Sequence, residues 1–212
     1  VNPTASGSTS TLRDGVHSDQ HCMAFAPGLP SRVVFGNDGG VYYSNNSGNS
    51  IGIRVNNYNV TQVYKADINT ASTATNRFIA GLQDNGSQYV TGAAAGINSY
   101  SRINGGDGAW EFIEDNDEYL ITSYVYNVYT RHAINGASSY SIANNQNDGD
   151  FINQCGLDST NDRLYANGTS GTIYQIYKYD LGAGSATLRV LTNALLNDIP
   201  IFFKSMPVTT TS

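Results

Sequence analysis

Short extended runs recur in groups of four along this chain, and that recurrence limits its folds more than any single residue does. The first group is 21–26, 32–36, 41–44 and 51–55; the second is 62–68, 77–82, 87–91 and 99–103. The third is 109–114, 119–126, 128–132 and 139–143; the fourth is 151–157, 163–166, 173–181 and 187–191. Each run alternates or is apolar, and Gly, Asn, Asp and Ser break it, which is the signature of strands joined by tight turns. No segment carries a helical stripe, and the best helical candidate, 192–197, is a single turn. The groups repeat about every 40–46 residues, the period of four-stranded propeller blades.

The expected fold is therefore all-β, a β-propeller whose four blades cover about 20–55, 62–103, 108–143 and 150–191. Residues 199–208 are read as the start of a fifth blade, and the Ser/Thr-rich 1–15 as a linker or the end of a preceding element. A β-sandwich with irregular strands is the alternative. The chain is expected to be part of a larger ring, completed by further domains or chains. An open arc would leave unpaired surface at both ends.

With 212 residues the chain can bury a core of its own. Only 13% of residues are charged and the net charge is −6, without a basic cluster, which argues against nucleic acid and anionic membrane as partners. No apolar run reaches the length of a membrane-spanning helix. No signal peptide precedes Val1, so a secreted protein would have lost one; a surface of amides and hydroxyls suits a secreted or cell-surface protein, here expected to be bacterial. Cys22 and Cys155 lie in strand-like runs and are expected to be buried free thiols rather than a disulfide.

Propeller geometry sorts the acidic loops. Loops between second and third strands and loops linking successive blades emerge on one face. His17-Ser18-Asp19-Gln20-His21 and Gly105-Gly106-Asp107-Gly108 occupy linking positions, as does 144–150. Asp38 in Gly36–Gly40 and Asp84 in Gly81–Gly86 fall between second and third strands. All are expected on one acidic, Gly-rich face. The opposite face receives Ser44-Asn45-Asn46-Ser47-Gly48-Asn49-Ser50, which joins the third and fourth strands of the first blade.

Three chemistries fit that face. Glycoside hydrolysis needs two carboxyls about 5–10 Å apart, and Asp38, Asp84 and Asp107 are the candidates, with Asp19 behind them. The competing role for each is to hold its own turn amides. A metal is the second: a strand through His17, Asp19 and His21 would send all three to one side, as zinc ligation requires. Calcium bound through Asp38, Asp84, Asp107 and backbone carbonyls is the alternative cation. The third is binding without chemistry, in which His17, Asp19, His21, Asn37, Gln83 and Asn85 contact a glycan or an extracellular protein. The 15 tyrosines offer stacking surfaces for such a ligand, although most are expected to pack between blades; a single Trp is few for a long polysaccharide groove. His132 lacks a surrounding motif and is read as a surface histidine.

The ordered series His-Ser-Asp-Gln-His, Gly-Asn-Asp-Gly-Gly-Val-Tyr-Tyr-Ser, Gly-Leu-Gln-Asp-Asn-Gly and Gly-Gly-Asp-Gly resembles the Asp-box propellers related to sortilin-type and xyloglucanase-like (sialidase-superfamily) domains. Gly149-Asp150-Phe151-Ile152-Asn153 fits the same pattern, and Ser44–Ser50 resembles a degenerate Asp-box with Asn46 where Asp is usual. The resemblance covers about residues 16–170. It implies a secreted bacterial propeller and, in part of the group, glycoside hydrolase activity. The chain departs from the enzymes: it lacks the Asp-Ile-Gly-Gly type segment of xyloglucanases and the Arg-Ile-Pro signature and arginine triad of sialidases. Binding of glycan or protein is thus the leading expectation. Hydrolysis and a structural role in an extracellular assembly are the alternatives.

Overall fold

The computed structural model describes residues 16–17, 19–55, 61–69, 76–201 and 203. The proposed linker at 1–15, and 202 and 204–208 of the proposed fifth blade, lie outside them. Among the described residues all regular structure is β, in four four-stranded antiparallel sheets. The first sheet is β1 (Gln20–Ala26), β2 (Leu29–Asn37), β3 (Gly40–Ser44) and β4 (Gly52–Ile53). The second is β5 (Val63–Ile68), β6 (Phe78–Leu82), β7 (Gly86–Val90) and β8 (Ser101–Asn104). The third is β9 (Phe112–Ile113), β10 (Tyr119–Ser123), β11 (Asn127–Ala133) and β12 (Ser139–Asn145). The fourth is β13 (Cys155–Asp158), β14 (Arg163–Asn167), β15 (Ile176–Leu181) and β16 (Ala186–Leu191). Every sheet is a meander in which each strand pairs with the next, the topology of a propeller blade. The described residues 199–201 and 203 form no strand.

The chain divides into two compact units, Val1–Gln62 and Val63–Ser212. The first unit holds one sheet. Its β2–β3 turn is closed by the Asn37 side chain, whose Oδ1 accepts the Gly39 N–H at 2.9 Å, and Gly40 continues it at φ +112. In the Ser44–Ser50 hairpin Ser44 Oγ accepts the Gly48 N–H at 2.9 Å and Asn46 Oδ1 accepts the Ser50 N–H at 2.9 Å. These side chains replace ladder bonds that a seven-residue turn cannot make. Cys22 is exposed, not buried as its run suggested. It stands opposite Gly36 on β2, and a Cβ there would lie 2.6 Å from its sulfur, so the thiol rests over backbone at the free edge of the sheet.

The second unit stacks its three sheets. Ile79 and Tyr89 of the second sheet meet Ile113 and Leu120 of the third. On the other side Phe112, Tyr119, Ile121 and Tyr129 pack with Cys155, Leu164, Ala166, Tyr177 and Tyr179 of the fourth. Tyrosines do much of this filling: Tyr129 meets Tyr179 edge-on at 6.0 Å between ring centroids. Their hydroxyls need partners when buried, and Tyr119 finds one in Asp162 Oδ1 at 2.8 Å. Not every tyrosine is internal, since Tyr100 is exposed and Tyr43, Tyr124 and Tyr126 are half-buried. His132 is also half-buried rather than on the surface, with Nε2 2.9 Å from Thr122 Oγ1, and desolvation lowers its pKa.

Candidate functional site

In the first unit the segment before β1 and the β2–β3 turn come together. His21 is exposed and its Nε2 bonds Asp38 Oδ1. His17 is buried; its carbonyl accepts from Gln20 Nε2, and a Cβ on Gly39 would fall 2.5 Å from the His17 Cβ, so only glycine lets the imidazole lie against the turn. Gln20 Oε1 in turn accepts from Asn37 Nδ2 at 3.3 Å. Asp19 takes φ +58 and β1 starts at Gln20, so no continuous strand runs from 17 to 21. The alternation that would put His17, Asp19 and His21 on one side does not extend over them: one imidazole points inward and the other outward.

The second unit brings Asp84 and Asp107 together. The β6–β7 turn holds Asp84 at φ +55 and Gly86 at φ +71. Against it lies the link from second to third sheet. The Gly86 N–H donates to Gly106 O at 2.7 Å and the Gly108 N–H to Leu82 O at 3.0 Å. Asp107 Oδ1 accepts the Asp84 N–H at 3.1 Å. This seam explains the glycines, because a Cβ on Gly86 would lie 2.0 Å from Asn104 O, and one on Gly81 2.4 Å from Ala109 O. The Asn85 side chain is exposed at the tip and bonds Gln83 O at 2.9 Å; Gln83 is half-buried. Tyr64 stands beside the seam: burial first, and then the negative charges of Asp107 and Asp84, push its hydroxyl pKa up. A turn and a link thus form one polar ridge with two carboxylates and a phenol.

The link from third to fourth sheet is built differently. Asn153 is buried and donates from Nδ2 toward Asn127 Oδ1 (3.0 Å), Tyr129 Oη (3.1 Å) and Asn167 O (2.9 Å), while its Oδ1 accepts the Asp150 N–H at 2.9 Å. Asn127 Nδ2 reaches Asp148 O and Asn167 O at 2.9 and 3.0 Å. Asp148 Oδ2 accepts from Tyr177 Oη at 2.6 Å and Asn145 Nδ2 at 2.7 Å, and these bonds hold its pKa below the ordinary carboxylate value. The acids of 144–150 are therefore tied into their own scaffold.

A buried carboxyl that the sequence does not mark as a site residue lies beneath the ridge. Glu111 is fully buried, four residues beyond Asp107. Ser87, next to Gly86, donates its hydroxyl to Glu111 Oε1 at 2.8 Å; Oε2 meets no hydrogen-bond partner among the described residues. Lys65 Nζ bonds the Glu111 backbone carbonyl and sits 3.9 Å from the centre of the Phe112 ring. Burial pushes the Glu111 pKa from 4.5 up to about 8, against the opposing pull of Ser87, the Ser123 backbone and Lys65. The signal was a single acid inside the apolar run Ala109-Trp110-Glu111-Phe112-Ile113.

No protein-family model matches the chain, and no curated protein does either. Among solved structures it is similar to an auxiliary nutrient binding protein from Bacteroides thetaiotaomicron, with a TM-score of 0.43 and 9% identity over 80% of this chain. The chain spans 41% of the length of that protein.

Proposed function

We propose that this chain is a secreted or cell-surface propeller module, and that the ridge formed by Gln83–Gly86 and Gly105–Gly108 binds a glycan or an extracellular protein. The observation that carries the reading is the seam itself, with Asp107 holding the Asp84 amide and Tyr64 alongside. A preorganised ridge of amides, carboxylates and a phenol supplies hydrogen-bond acceptors, donors and a stacking surface without ordering cost at binding. The turn at His17, His21, Asn37 and Asp38 offers the first unit a polar loop of similar composition. The Ser44–Ser50 hairpin, with Ser44 and Asn46 bonding inward, supports the Asp-box reading of that segment.

Binding is preferred to hydrolysis because the chain lacks the Asp-Ile-Gly-Gly type segment of xyloglucanases and the Arg-Ile-Pro signature and arginine triad of sialidases, while Asp107 Oδ1 serves to hold the Asp84 amide. The test is calorimetry of the full chain against a panel of neutral and acidic oligosaccharides, with Asp107→Asn and Asn85→Ala beside it. A ligand that binds the parent chain and loses at least about tenfold in affinity in both variants, about 1.4 kcal/mol, supports the reading. Release of reducing sugar that Asp84→Asn abolishes would replace it with hydrolysis.

A further inference from the structure

Glu111 is an unusual group to place under a binding ridge. Its carboxyl is fully enclosed, has one hydroxyl donor and leaves Oε2 unpartnered among the described residues. The nearby ammonium of Lys65 is spent on the Glu111 main-chain carbonyl, on the Phe112 ring and on Asp67 Oδ2 at 3.9 Å, not on the carboxyl. An ionised carboxylate so placed is only partly compensated, by Ser87, the Ser123 main chain and the charge of Lys65, whereas a neutral acid costs much less to enclose. The other charged or titratable groups around it are Asp67 on β5, whose Oδ2 accepts the Ile113 N–H at 2.9 Å, and the buried thiol of Cys155 on β13. The Ser123 main chain on β10 also faces the carboxyl. None of these supplies a second cation.

The position links this group to the ridge. Ser87 follows Gly86, which bridges to Asp107, and the Trp110 N–H beside Glu111 bonds Ser123 Oγ at 2.5 Å. We propose that Glu111 is held as a neutral acid that keeps the Asp84–Asp107 ridge in register, and that its ionisation loosens the ridge and weakens ligand binding on the alkaline side. Glu111 is a positioning residue in this scheme: it touches Ser87 and the chain beneath the ridge, and no ligand. When it loses its proton, the carboxylate draws Lys65 and additional donors or water toward it. The Ser87 contact then transmits the rearrangement to Gly86.

The inference rests on the ridge being a binding surface only for its effect on affinity. The titration is read without ligand, so a failed oligosaccharide screen counts against that surface and leaves this test intact. Trp110, the only tryptophan, reports on the site directly. The experiment follows Trp110 emission from pH 6 to 10, together with hydrogen exchange of 83–88 and 104–109 corrected for intrinsic rates. The expected result is one emission transition with a midpoint near pH 8 in the parent chain. Over the same range protection of the Gly86 and Gly108 amides should fall by about tenfold or more. Glu111→Gln should show neither change. Ser87→Ala, which removes the donor to the carboxylate, should move the midpoint to higher pH. An unchanged transition in Glu111→Gln, no transition in the parent chain, or a midpoint in Ser87→Ala that stays or falls would overturn the proposal.

Discussion

Replacing Asn153 by alanine should be among the most damaging single changes in the second unit. Its amide lies at the junction of β11, β14 and the link 144–150, with three acceptors around Nδ2 and the Asp150 N–H on Oδ1. Truncation strands the Asp150 N–H without an acceptor, at a cost of about 1–3 kcal/mol. It also removes two amide donors worth about 1 kcal/mol net in total, since Asn167 O keeps its bond from Asn127 and only part of the network is lost. The sum, about 2–4 kcal/mol, corresponds to a fall in Tm of roughly 5–15 °C for a chain of this size. Urea denaturation with an unchanged slope, supported by calorimetry, measures it. Asn153→Asp keeps the acceptor but loses the donors and buries a charge, so it should be at least as destabilising. A loss below about 0.5 kcal/mol for Asn153→Ala would refute the idea that this network holds the link.

Other consequences are open to direct measurement. Below its unfolded pKa of 4.5 Glu111 is neutral in both states; as pH rises toward about 8 the folded state retains the proton that the unfolded chain has lost, so stability falls across that window. Glu111→Gln should therefore flatten the pH dependence of urea midpoints between pH 5 and 8, and a slope equal to that of the parent chain would contradict the burial argument. Gly86→Ala combines a left-handed φ with a Cβ 2.0 Å from Asn104 O, so its thermal unfolding should come well below that of Gly28→Ala, where φ is also positive but the space is open. Equal losses would show that the seam yields easily. A thiol reagent should modify Cys22 in the native protein and Cys155 only after unfolding, because Cys155 is buried and burial raises its pKa. Two fast thiols would refute the packing of β13.

The strands were legible in the sequence because their alternation and their turn residues are local properties. Among the described residues, four sheets and sixteen strands follow the expected runs, with most ends within three residues. The largest departures have long-range causes. The run 109–114 shrinks to Phe112–Ile113 because the Trp110 N–H is held by Ser123 Oγ instead of a ladder carbonyl, and Glu111 by Ser87 of the second sheet, a strand that sequence spacing does not reveal as a neighbour. The run 151–157 starts as a strand only at Cys155, because Asn153 turns inward to Asn127 and Asn167. Polar residues that end inside the protein look like turn residues until their partners are known. For the same reason Asp38, Asp84 and Asp107 stand out in their Gly-rich loops, while the bond between Asp107 and the Asp84 amide does not. The exposure of Cys22 depends on its facing Gly36 at a sheet edge, which a hydropathy pattern does not contain.

The claim that matters most is that the Asp84–Asp107 ridge is the binding surface. Hydrogen exchange on the full chain, with and without the tightest oligosaccharide from the panel at saturating concentration, tests it most directly. The account predicts added protection concentrated in 83–88 and 104–109, absent in Asp107→Asn. Protection located instead on the exposed face of the fourth sheet, around Arg163, Lys178 and Arg189, with the ridge unchanged, would contradict it.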